Sequence, residues 1–127
     1  MENPLVRYSE STYALLRFVA GFLFACHGAQ KLFGWLGGQA VPPASLMGLA
    51  GIIELVGGTF IAFGLLTRAI AFLCSGEMAV AYFMAHAPRG PWPIENHGEL
   101  AALYAFVFLF LAARGPGPLA LERGGVR

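Results

Sequence analysis

The chain has 127 residues, 57% of them hydrophobic and only 12% charged, with no aspartate and a formal net charge of +1. A soluble domain carries about twice that charged fraction, so the composition argues against a soluble globule and predicts an integral membrane protein. The balanced charge offers no basic field for nucleic acid, and the length fits one all-α membrane domain over residues 1–127 with no separate soluble catalytic domain.

The first apolar run, residues 13–33, is long enough to cross a bilayer as a helix. It closes on His27, Gln30 and Lys31 rather than on a small-residue cleavage site, so a cleavable signal peptide is not expected. GWLGGQAVPPAS then breaks it, because glycines and paired prolines cannot continue a helix. The second run, residues 46–66, carries Glu54. After a short turn at Thr67 and Arg68 the third, residues 68–85, carries Glu77. APRGPWPIEN interrupts the chain again, and the fourth run, residues 97–113, ends at RGPGP. At its start Asn96 and Glu99 have the spacing of a capping box.

Four spans place both termini on one side. That side collects Arg7, Arg17, Arg68, Arg114, Arg123 and Arg127, against Lys31 and Arg89 on the other, so the positive-inside rule predicts cytoplasmic termini. Trp35 and Trp92 then fall at the outer interface. Short connections make neighbouring helices antiparallel, which predicts an up-down four-helix bundle. Ala50, Glu54 and Gly58 recur every four residues on the second helix, and Arg17, Gly21, Phe24, Gly28 and Lys31 share a face of the first. Such small-residue stripes let backbones approach closely in lipid, and the same stripe turns Glu54 inward.

An ionisable group at bilayer depth is costly and is a functional hypothesis by default. At 1.5 Å per residue, Glu54 and Glu77 lie roughly 12 Å from the outer ends of their helices, and His27 roughly 9 Å. Gln30 and Lys31 are a turn shallower, and His97, Glu99 and Tyr104 belong to the outer part of the fourth helix. The expectation is a polar pocket in the outer half of the bundle. Glu54, Glu77 and His27 are the candidate catalytic groups; Gln30, Lys31, Glu99, His97 and Tyr104 are candidate ligand-binding groups. Two carboxylates brought together out of water favour a shared proton, useful to chemistry that moves protons with electrons. The structural alternative is an ion pair of either glutamate with Arg17, Lys31 or His27. Cys26 and Cys74 differ by roughly 10 Å in depth, beyond disulfide reach, and are expected as free thiols. His86 and Tyr82 are a turn apart, on a face away from Glu77. No helix holds an HxxxH or HxxE pair, so no metal site is expected.

Four segments carry a family resemblance: HGAQKLFGW closing the first helix, GIIELVGG around Glu54, GLLTRAIA between the second and third, and NHGELAALY opening the fourth. In this order, over residues 16–121, they resemble the DoxX family of small four-helix membrane proteins. The resemblance implies a component of a membrane oxidoreductase. Relatives include a thiosulfate:quinone oxidoreductase subunit and a partner of superoxide dismutase and a thiosulfate sulfurtransferase in a mycobacterial membrane complex. The family often has NGGE where this chain has Asn96, His97, Gly98 and Glu99.

No flavin, dinucleotide, haem or iron–sulfur motif is present, so electrons would need a diffusible quinone or a redox protein partner. The reading is a quinone-binding subunit of a redox complex in the bacterial inner membrane, exchanging protons through Glu54 and Glu77. A carrier for a small apolar molecule or lipid, or a structural subunit, fits the same residues, and the glycine-rich faces would also serve a homo-oligomer.

Overall fold

The computed structural model describes residues 2–122. Among these the protein is all-helical, with five α-helices: α1 (Ser9–Phe33), α2 (Leu46–Phe63), α3 (Thr67–Ala81), α4 (Pro93–Asn96) and α5 (Glu99–Arg114). Three continuous helical segments, Val6–Phe33, Leu46–Phe63 and Thr67–Arg89, are long and apolar enough to cross a membrane. The fourth expected span is shorter than these. α5 has 16 residues, because the chain ahead of it turns through α4 and Gly98 before the helix starts. Arg123 and Arg127, counted toward the expected orientation, lie outside the described residues.

Local chemistry sets the ends. α1 stops at Gly34, whose left-handed φ of 71° lets its N–H return to the Gln30 carbonyl. Ser45 caps α2 by accepting from the Gly48 N–H at 3.0 Å. At the far end Gly64 takes φ 71° and the Leu65 N–H reaches the Phe60 carbonyl, a left-handed helix stop. Leu66 follows at φ 48°, and α3 starts at once. Beyond Ala81 the third segment relaxes into a π-helical turn, Tyr82–His86, and a 3-10 turn, Ala87–Arg89, so it runs past the expected end at 85.

α1 packs along α2, and α3 along α5. The first seam needs its glycines. A Cβ on Gly21 would strike the Gly58 carbonyl oxygen at 2.6 Å, one on Gly58 would strike that of Gly21 at 2.5 Å, and Gly28 lies as close to Gly51 and Leu55. Aromatic packing ties α1 to α5: Phe24 lies 4.7 Å from Phe108 and 5.2 Å from Tyr104 between ring centroids.

The distribution of polarity is inverted relative to a soluble domain. Phe72, Phe83, Leu103 and Phe106 are exposed, while Arg17, Glu54, Thr67 and Asn96 are buried. A continuous apolar exterior is expected where lipid is the solvent.

Candidate functional site

Three helices build a polar cluster around Glu54. The small-residue face of α2 turns Glu54 into the protein, leaving it 1% exposed. One α1 turn before the Gly34 stop, Lys31 reaches across and donates to both carboxylate oxygens, at 2.5 and 2.6 Å. Removing a carboxylate from water is costly unless its oxygens are bonded, and the ammonium supplies both bonds. Lys31 is therefore the partner of Glu54 among the three residues expected for that role.

From α3, Glu77 comes within electrostatic reach of Glu54 and Lys31. Its Oε1 is buried and has no hydrogen-bond partner among the described residues. Cys74, one turn earlier, is fully buried; its thiol faces the same two carboxylates and lies near the backbone of Gly57. α5 adds Tyr104, whose hydroxyl is also buried without a partner and lies within reach of Cys26 and Glu54. His27 packs edge-on to the Tyr104 ring at 6.2 Å between centroids. Cys26 and Cys74 are both free thiols. Buried polar atoms are nearly always bonded, so two orphans around one ion pair mark a place where a polar guest or water could be received.

Of the residues expected around an outer-half pocket, Lys31, Glu54, Glu77, Tyr104 and His27 are the ones that the fold brings together. Lys31, His27, Cys26 and Glu77 are the half-buried members of this cluster, and Glu54 is closed off. Two surface grooves lie elsewhere, one along α5 beside Glu99 and Phe106, the other against Arg17 and Phe18.

Several expected site residues sit apart from this cluster. The Gln30 amide donates to the Leu36 carbonyl at 2.9 Å and fastens the loop after α1. His97 takes φ 62° ahead of α5, so it does not share a helical face with Tyr104, and both His97 and Glu99 are exposed. The expected capping box is absent. Gly98 occupies the N-cap of α5, and among the described residues no side chain caps the first-turn N–H groups of that helix. Asn96 does different work, fully buried, as the knot of the loop: it donates to Tyr82 Oη at 3.1 Å and the Gly90 carbonyl at 2.9 Å, and accepts from the Gly98 N–H at 2.8 Å. The Asn96 carbonyl in turn meets His86 Nδ1 at 3.1 Å. Cys74 and Asn96 were not singled out as site residues by the sequence; Cys74 meets Glu54 from α2, and Asn96 meets Tyr82 and Gly90 from the segment before α4.

Arg17 is the other correction. It is buried at the far end of α1, where its guanidinium donates to the carbonyls of Pro116, Pro118 and Leu119. It therefore holds the C-terminal segment and pairs with neither membrane-depth glutamate. Among the described residues no three His, Cys, Asp or Glu side chains converge as a metal site would need.

The family profile for DoxX matches residues 12–87, which include Lys31, Glu54, Cys74 and Glu77. An uncharacterized protein of Haemophilus influenzae is 39% identical over 127 residues, covering 94% of this chain and 95% of that one. A Bacillus subtilis protein named "Putative oxidoreductase CatD" is 29% identical over 113 residues, covering 85% of this chain and 82% of its own. No solved structure matches the chain. With the profile spanning more than half of the sequence and the apolar helices around a buried ion pair, the chain belongs to the DoxX family of integral membrane proteins.

Proposed function

We propose that the protein is a membrane subunit of an oxidoreductase that takes a quinone headgroup at the Lys31–Glu54–Glu77–Tyr104 cluster. The observation that carries the reading is the pair of orphaned polar atoms, Glu77 Oε1 and the Tyr104 hydroxyl, beside a buried ion pair. A quinone carbonyl needs donors, and the Tyr104 hydroxyl and Lys31 ammonium are donors. Its reduction consumes protons, and a carboxyl such as Glu77, with an unbonded oxygen, can hold one and pass it on. His27, beside Tyr104 and half-buried, gives that proton an exit toward the surface. Electrons come from a partner protein, in line with the name of the Bacillus subtilis relative.

This reading includes a four-helix membrane bundle in which α5, with the turn of α4 before it, is the fourth span. Arg7, Arg17, Arg68 and Arg114 put both termini in the cytoplasm of a bacterial inner membrane. The short α5 matches a locally thin bilayer or a tilt of its neighbours.

Purified protein in nanodiscs, titrated with a short-chain ubiquinone analogue and followed by tryptophan quenching, tests the proposal. Tyr104→Phe removes an orphaned hydroxyl and Glu77→Gln keeps the size of its side chain without the charge, so both variants are expected to fold, and the analogue is expected to bind at least tenfold more weakly to Tyr104→Phe. Unchanged affinity in both folded variants would sink the quinone reading.

A structural reading is favoured by one observation: Lys31 already satisfies both Glu54 oxygens in a closed cluster. Under it, the same variants alter melting temperature and bind no quinone at any concentration.

A further inference from the structure

The end of the molecule opposite the cluster carries a second polar anomaly. Arg17 is 2% exposed, and all its hydrogen bonds go to neutral carbonyls of the C-terminal segment. Its Nε is buried with no partner among the described residues. Glu122 is the carboxylate nearest to it in the electrostatic sense, and that carboxylate is committed elsewhere, accepting from the Thr67 N–H at 2.9 Å. Arg68 likewise spends its guanidinium on carbonyls, those of Ala112, Ala113 and Arg114. Arg114 pairs with Glu10. Among the described residues, no carboxylate bonds to Arg17 or Arg68.

Arg17 also lines a surface groove whose other walls are apolar, among them Leu15, Phe18, Phe63, Leu119 and Leu121. Leu119 is notable twice over. Its φ of 59° is a left-handed conformation that a leucine adopts at a cost, and its side chain is 81% exposed. Leu121 beside it is 68% exposed, although its N–H is anchored to the Phe63 carbonyl. Two leucines held out over an apolar groove have no reason to face water.

The geometry points to a binding site for one acidic phospholipid in this groove. Its acyl chain lies along Leu15, Phe18 and Phe63 under the rim of Leu119 and Leu121, and its phosphate is drawn to the Arg17 guanidinium. The groove lies toward the end of the molecule at which α1 starts and α2 ends, the end where Arg68 and Arg114 also lie. Charge complementarity selects the acidic class, since Arg17 is the charged member of the lining. An arginine near an anionic lipid surface favours binding by a factor of about five.

The test is native mass spectrometry of the full chain released from nanodiscs of mixed phosphatidylglycerol and phosphatidylcholine. One retained phosphatidylglycerol per chain, favoured about fivefold over phosphatidylcholine, is expected. Leu119→Glu places a negative charge at the rim while leaving the backbone carbonyl that Arg17 binds, and it should abolish the preference. Leu121→Glu serves the same purpose should the first variant fail to fold. Leu5→Glu, on an exposed residue at the N-terminal end and outside the groove, should keep the preference. Equal retention of both lipids by the parent chain overturns the site, as does a loss in Leu5→Glu as large as in Leu119→Glu.

Discussion

At the scale of the residue, the Lys31–Glu54 pair decides most. Glu54 is met by an ammonium that touches both of its oxygens. Lys31→Met strands a buried carboxylate and is expected to cost roughly 3 kcal/mol, the low end for breaking such a pair because Lys31 still meets solvent. The double variant Lys31→Met/Glu54→Leu should recover most of that loss, measured as denaturation midpoints in detergent. A double variant less stable than the single one would show that the pair does more than neutralise itself. The thiols separate by burial. A maleimide should label the half-buried Cys26 of the folded protein and leave Cys74 unmodified until denaturation, read by mass shift. Prompt labelling of Cys74 would mean that the cluster opens readily.

At the scale of the element, the α1–α2 seam rests on backbone-to-backbone approach. Gly58→Val puts a branched side chain where the Gly21 carbonyl already sits, and a loss of about 1–3 kcal/mol is expected from the forced separation of the helices. Gly76→Ala on α3 is the matched control. Nothing lies within 4 Å of its added carbon, so the change should gain up to about 1 kcal/mol from helix propensity alone. Equal melting of the two variants would contradict the seam. Much of this seam is legible in the sequence, because glycine and alanine recurring every four residues can only serve close approach. The start of α5 is not. Asn96 and Glu99 have the spacing of a capping box, yet Asn96 is drawn inward by Tyr82 and Gly90, groups 14 and 6 residues away. A local pattern loses when tertiary partners offer a buried amide more bonds than a helix end does.

At the scale of the whole molecule, the chain folds back on itself. Residues 115–122 are tied to α1 by Tyr13 and Arg17, and to the α2–α3 turn by Leu121 and Glu122. Deleting residues 115–127 removes the acceptors of Arg17 and the cap of α3. A loss on the order of 2–3 kcal/mol is expected, moderated by water reaching the freed guanidinium. Hydrogen exchange should then quicken at the start of α3; unchanged protection there would show that the Glu122 cap contributes nothing.

The sequence by itself determined the membrane character, the helical runs, the α1–α2 seam and the inward turn of Glu54, because hydropathy and small-residue periodicity are local properties of the chain. It also brought out Glu77 and His27 near the depth of Glu54, Lys31 a turn shallower, and Tyr104 on the fourth helix. Only the tertiary structure decided which of them meet: Lys31 takes Glu54, Arg17 takes the C-terminal segment, and Glu77 and Tyr104 keep an unbonded oxygen each. Depth along a helix follows from counting residues. Partnership depends on the rotation of each helix against its neighbours and on where distant loops return, and those are set by packing across the whole fold.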